Sequence, residues 1–249
     1  MSTTLTIAKR EFRSSFDSPL AYVVICIGLV MLGIFFFFVQ DYWQLDRASL
    51  VSLFDLAPRG LSLVIVPVVT MRLLAEEKRS GTLEMLITLP VRDHEVILGK
   101  FLGAWGLVLV LIAATALYPI LMFWAPFHMG WHLGAIDFRP IWSGYLGLLL
   151  YSAAAVSIGL LLSALTESQV IAFFLTWATL ALFSFLGWGA TKAFLAGVAR
   201  DVLTFISFDA RLAPFARGQI ITRDIVYFLS ITVGCLMAAF RALERRKWA

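Results

Sequence analysis

Residues able to do chemistry are sparse in this chain of 249 residues, and their spacing excludes more than it admits. His128 and His132 stand in HMGWH, and a helical i, i+4 pair with Met129 nearby would suit copper or zinc. Gly130 disfavours that helix and no third strong ligand is close, so interfacial histidines beside Trp131 are the simpler reading and no metal site is expected. His94 lies in DHEV, without the second histidine of an HExxH zincin. The single Gly-Lys pair, Gly99-Lys100, has His94 where a P-loop needs its first glycine. The chain is therefore expected to be no enzyme, to hold no cofactor, and to draw any energy from a partner. Cys26 and Cys235 both lie in apolar runs, with no CxxC pairing, and read as small buried apolar residues.

The densest polar segment is Arg72 to Lys100, RLLAEEKRSGTLEMLITLPVRDHEVILGK, set between two apolar stretches. Glu76, Glu77, Lys78 and Arg79 are expected to continue a helix out of the membrane. Ser80 and Gly81 can end it, because glycine accepts the left-handed conformation of a helix C-terminus. Thr82 can cap a second helix in which Leu83, Met85, Leu86, Ile87 and Leu89 are apolar and Glu84 is exposed; Pro90 ends it. A short apolar helix beyond the lipid needs a cover, either its own bundle or a partner's groove. The alternative is a solvated loop.

The elements that must carry this handle follow from composition. Hydrophobic residues make up 61% of the chain and charged residues 14%, against ~25% charged in an ordinary soluble protein. Mean hydropathy is +0.89. The windows 18–40, 101–136, 140–166, 168–191 and 225–240 lack Asp, Glu, Lys and Arg. A crossing helix needs ~20 apolar residues, so these predict spans at about 19–40, 97–124, 141–165, 168–189 and 223–243. A sixth is expected at about 56–75, with Arg59 and Arg72 near its ends and Pro67 kinking it. The expected fold is an all-α integral membrane protein: one transmembrane domain over 1–249, six spans, an N-terminal interfacial helix, a cytosolic helix between spans 2 and 3, and short outer helices before span 6.

With both termini inside, 12 of the 20 Lys and Arg residues are cytosolic, the bias expected of a multi-pass protein. The net charge of +4 fits anchoring at an anionic leaflet. The basic residues form no single stripe, which argues against nucleic acid. The first span is too long for a cleavable signal peptide and no A-x-A site follows it.

Three further segments invite function. LTIAKREFRSSFDSPL places Leu5, Ile7, Phe12 and Phe16 against Lys9, Arg10 and Arg13, as in an interfacial helix at about 3–17; an ordinary positive flank is the alternative. Residues 190–222 suit two short helices forming a lid on the outer side, or a plain surface loop. Gly99, Gly103 and Gly106, and Ser152, Ala155 and Gly159, form small-residue stripes that indicate packing or dimerisation. Glu167 stands in the tight turn between spans 4 and 5, a second cytosolic contact point. Few ionisable groups sit deep in any span, and no inverted repeat is evident, so an ion-coupled transporter is disfavoured.

The segments AEEKRSGTLEMLITLPV, EVILGKFLG and FARGQIITRDIVYFLS, together with the six-span layout, resemble the permease subunits of type 2 ABC exporters over nearly the whole chain. Within that family the chain is most similar to permeases of the gliding-motility-associated group. The resemblance implies that Glu76, Glu77, Lys78, Arg79, Gly81, Thr82 and Glu84 couple to a separate ABC ATP-binding subunit, which would hold ATP and Mg. It implies a second permease chain, identical or a paralogue, and a place in a prokaryotic cytoplasmic (inner) membrane. It implies an outer gate region around Phe215, Arg217, Gly218, Arg223 and Asp224. A different class of function is a membrane anchor or force-transmitting subunit that translocates nothing.

Overall fold

The computed structural model describes residues 3–36, 51–81, 92–120, 139–192 and 198–245, all built from helices and turns. The helices are α1 (Thr3–Asp17), α2 (Pro19–Ile34), α3 (Val51–Gly60), α4 (Val66–Thr70), α5 (Ala75–Arg79), α6 (Asp93–Ala114), α7 (Arg139–Leu165), α8 (Gln169–Lys192), α9 (Val198–Ile206), α10 (Phe208–Ala216) and α11 (Thr222–Arg245). Five helical runs are long and apolar enough to cross a membrane, and α1 with α2 makes a sixth candidate across a 75° bend. The chain is an all-α integral membrane protein.

Helix α7 is the centre. It touches α3, α4, α5, α6, α8, α10 and α11, and 72% of its apolar window is buried, against 22% for α8 and 17% for α11. Small residues explain the difference. A Cβ on Gly159 would lie 2.3 Å from Thr70 Oγ1, and one on Gly147 would lie 2.8 Å from Phe215 Cβ. Close approach of this kind is what associates helices where lipid is as apolar as leucine. Helices α8 and α11 instead turn large side chains such as Phe174 and Val226 outward, leaving most of their surface uncovered by this chain.

The second span is one helical run, Val51–Arg79, with irregular turns inside it. A π-helical segment, Leu61–Ile65, follows α3 and leads into α4. Pro67 has no N–H to donate and crowds the carbonyl four residues back, so the expected kink is taken up as a widened turn just upstream. Ser62 Oγ and Tyr151 Oη both donate to the Pro58 carbonyl, at 2.6 and 3.1 Å. Residues 71–74 then form a turn. Beyond that turn Glu76 to Arg79 carry the same helical run, Val51–Arg79, onward as expected, in a segment of its own, α5. Its start is capped from another span: Ser163 Oγ of α7 accepts from Leu74 N and Ala75 N, both at 3.1 Å.

Helix α1 is docked on the bundle. The stripe Gly99, Gly103, Gly106 of α6 is its seat, and Cβ atoms at Gly99 and Gly103 would meet Ile7 and Glu11 at 2.6 Å. Thr3 Oγ1 donates to Glu95 Oε1 at 2.5 Å. Glu95 Oε2 also accepts from Arg92 N at 3.3 Å, closing the first turn of α6. Ile7, Ala8 and Glu11 of α1 thus meet protein there, while Leu5 stays exposed.

Candidate functional site

Chemistry-bearing side chains gather at two opposite ends of the bundle. The first end holds α5. Lys100, 2% exposed, lies on the face of α6 that also buries Val96, Gly103 and Leu107. Its Nζ donates to Glu77 Oε1 at 2.7 Å and to Glu11 Oε1 at 3.0 Å. A buried ammonium is costly unless paired, and here two carboxylates from two other helices compensate it. Arg72 holds Glu76 through two N–H groups, at 2.8 and 3.3 Å. Lys78 Nζ donates to the Ala164 carbonyl at the end of α7.

Of the residues the sequence assigns to coupling, Glu76, Glu77 and Lys78 are therefore engaged with Arg72, Lys100 and Ala164. Arg79 and Gly81 are exposed. Gly81 has φ +72°, the left-handed conformation that ends α5 at low steric cost. Thr82 and Glu84, with the rest of the short apolar helix expected there, lie outside the described residues. So do His128 and His132. Glu167 falls in the turn between α7 and α8.

The second end is built by α9, α10 and the start of α11. The expected helices within 190–222 correspond to α9 and α10. Ser207 caps α10, accepting from Ala210 N at 3.4 Å. Asp224 is fully buried in the first turn of α11, where the helix dipole favours a carboxylate. Arg211 Nη1 donates to its Oδ1 at 2.8 Å, and the exposed Arg223 reaches the same oxygen at 3.3 Å. The Arg211 guanidinium also lies 4.2 Å from the Phe205 ring centroid, a cation–π contact. Phe215 is fully buried against α7, and its carbonyl accepts from Ser143 Oγ at 2.7 Å. Arg217 is exposed, and Gly218, at φ +87°, turns the chain beside Arg139. Phe215 and Asp224 are thus packed anchors, while Arg217 and Arg223 face outward.

A third contact joins α3 to α10, where Arg59 Nε lies 3.3 Å from Asp209 Oδ2. Burial pushes the Asp209 carboxyl above the usual carboxylate range, and the Arg59 guanidinium pulls it partly back. Its Oδ1 has no hydrogen-bond partner among the described residues.

Glu11, Lys100, Ser163, Arg59, Asp209 and Arg211 are residues that the sequence reading assigned to neither site, although it met Lys100 in the Gly-Lys pair and Arg59 at a span end. Lys100 carried one usable signal. It lies between apolar residues at helical spacing from Val96, Gly103 and Leu107, so a helix that buries them buries it too and obliges a carboxylate partner. The partners' identities depend on elements far away in sequence and carried no local signal.

A family model described as ABC-2 family transporter protein matches residues 5–247. A search of curated proteins finds no match.

Proposed function

Because this chain belongs to the ABC-2 transporter family and is a multi-pass membrane permease subunit of an ABC transporter, we propose that it forms the export pathway of that transporter and couples it to ATP hydrolysis in a separate subunit. The observation that carries this reading is α5. It is a short helix set off from its span by a turn, braced by Lys100, Ser163 and the Ala164 carbonyl, and exposed at Arg79 to Gly81. A braced lever transmits a push; a solvated loop would absorb it. The site proposed to meet the ATPase is Glu76, Glu77, Lys78, Arg79, Gly81, Thr82 and Glu84.

The remainder of the reading is proposed on the same footing. Two such chains, identical or paralogous, would pair in a prokaryotic inner membrane with both termini cytosolic. Phe215, Arg217, Gly218, Arg223 and Asp224 would form the outer gate, and a role in gliding motility is the cargo-level proposal. The apolar spans suit a lipid-linked, amphipathic or polymeric cargo.

The test is co-purification in mild detergent with identification of the associated proteins by mass spectrometry. Recovery of a P-loop ATPase, lost when residues 76–84 are scrambled in a chain that still melts cooperatively, supports the coupling site. A crosslinked preparation free of any ATPase overturns it in favour of an anchoring subunit.

A further inference from the structure

A cavity of about 500 Å³ opens between α1, the start of α2, the stretch from α4 through α5 and the middle of α6. That volume is in the range of small-ligand sites, ~300–1,000 Å³. Its polar wall holds three cations, Arg10, Arg72 and Lys100, and three carboxylates, Glu11, Glu76 and Glu77. Three positive and three negative charges cancel, so the wall offers both signs to a ligand and favours no net charge.

The cations are not equally committed. Lys100 is held between Glu11 and Glu77. Arg72 uses Nε and Nη2 on Glu76, and its Nη1 makes no hydrogen bond among the described residues. Arg10 is 67% exposed and approaches Glu11 only to 3.7 Å, beyond hydrogen-bond distance. Two guanidiniums with donors to spare therefore line one cavity. Guanidinium forks match phosphate oxygens in geometry and charge. Ser14 adds an exposed hydroxyl, and Val24 and Leu107 supply an apolar wall.

We infer that this cavity binds a zwitterionic phospholipid by its head group. The phosphate lies between Arg10 and Arg72, the primary ammonium faces the carboxylates, and the start of an acyl chain follows Val24 and Leu107. Neutral lining explains the choice: a net anionic head group would bring charge that the paired Lys100 and Arg72 do not fully answer, next to three carboxylates. The basic side of α1, with Lys9, Arg10 and Arg13, suits the head-group level of a bilayer. The inference does not rest on the coupling reading, and its readout is lipid retention, so the two can fail separately.

The experiment is native mass spectrometry of the full chain in mild detergent, supplied with equal amounts of dioleoyl phosphatidylethanolamine and dioleoyl phosphatidylglycerol. The expected result is preferential retention of the ethanolamine lipid. Arg72→Gln should weaken that retention about tenfold, the scale of one lost charge-assisted hydrogen bond. Because Arg72→Gln also loosens α5, Ser14→Trp is the second variant: it blocks an exposed wall, leaves every charge in place, and should abolish the preference with unchanged melting. Soluble O-phosphoethanolamine should compete, and inorganic phosphate should compete weakly. Equal retention of the two lipids, indifference to Ser14→Trp, or equal competition by inorganic phosphate overturns the inference.

Discussion

Lys100 and Glu77 form a 2.7 Å ion pair between the first turns of α6 and the middle of α5, and the lysine is almost wholly buried. The pair ties the last helical segment of the second span to the third, and Glu11 extends it to α1 at 3.0 Å. Three segments distant in sequence thus meet at one buried ammonium.

Lys100→Met should leave two carboxylates facing each other in a partly buried site. Breaking such a pair from one side costs ~3–5 kcal/mol. Thermal melting should fall by roughly 10 °C, at ~2–4 °C per kcal/mol for a chain of this size. The triple variant Glu11→Gln, Glu77→Gln, Lys100→Met should recover most of the loss. A Lys100→Met chain that melts like the parent would remove the pair from any bracing role.

Gly103→Leu should displace α1. Its Cβ alone would meet Glu11 Cβ at 2.6 Å, and overpacking of this kind costs ~1–3 kcal/mol. Limited proteolysis should cut within 3–17 faster than in the parent, while the rest of the bundle melts nearly as before. Unchanged protection of α1 would show that the stripe is not its seat.

Arg211→Met and Arg223→Met separate a buried from an exposed partner of the same oxygen, Asp224 Oδ1. The first leaves a buried carboxylate only its longer contact with the exposed Arg223 and should cost ~3–5 kcal/mol. The second removes a pair whose arginine is exposed and should cost under ~1 kcal/mol. Denaturation of the two variants in the same detergent compares them directly, and equal losses would contradict the assignment.

Asp209 predicts a pH dependence. Its folded pKa is raised, with burial the larger cause, so folding favours the protonated acid. The stability due to this group is full below the unfolded value, ~3.9, and declines as pH rises through the folded value. Asp209→Asn should therefore raise the melting temperature relative to the parent more at pH 7 than at pH 4. A variant harmed more at pH 7 would mean that attraction to Arg59 outweighs burial.

Glu84→Lys tests the proposed coupling helix. The variant should assemble and melt as the parent does while cargo-stimulated ATP hydrolysis falls to the unstimulated rate. Full stimulation in the variant would take Glu84 out of the coupling role.

Fold class was legible because it depends on local composition. A stretch such as PLAYVVICIGLVMLGI has no soluble alternative that hides its apolar surface. Gly81 as the end of a helix was legible for a similar reason, since few residues accept φ +72°. The stripe Gly99, Gly103, Gly106 announced close packing, but not that α1 would fill it, because a stripe specifies shape and not its occupant.

The sequence by itself determined that this chain crosses a membrane repeatedly, bears a charged segment between its second and third spans, and has His94 where a P-loop ending at Lys100 needs glycine. Those properties follow from hydropathy, charge and motif spacing, each readable within a few tens of residues. Tertiary structure alone decided that Ser163 caps the start of α5 from 88 residues away and that Lys100 joins Glu77 to Glu11. The physical reason is that a cap or a counter-charge is set by distance in space. In a lipid-facing bundle, the approach of one helix to another is fixed by packing at positions such as Gly159 and Thr70, which lie far apart along the chain.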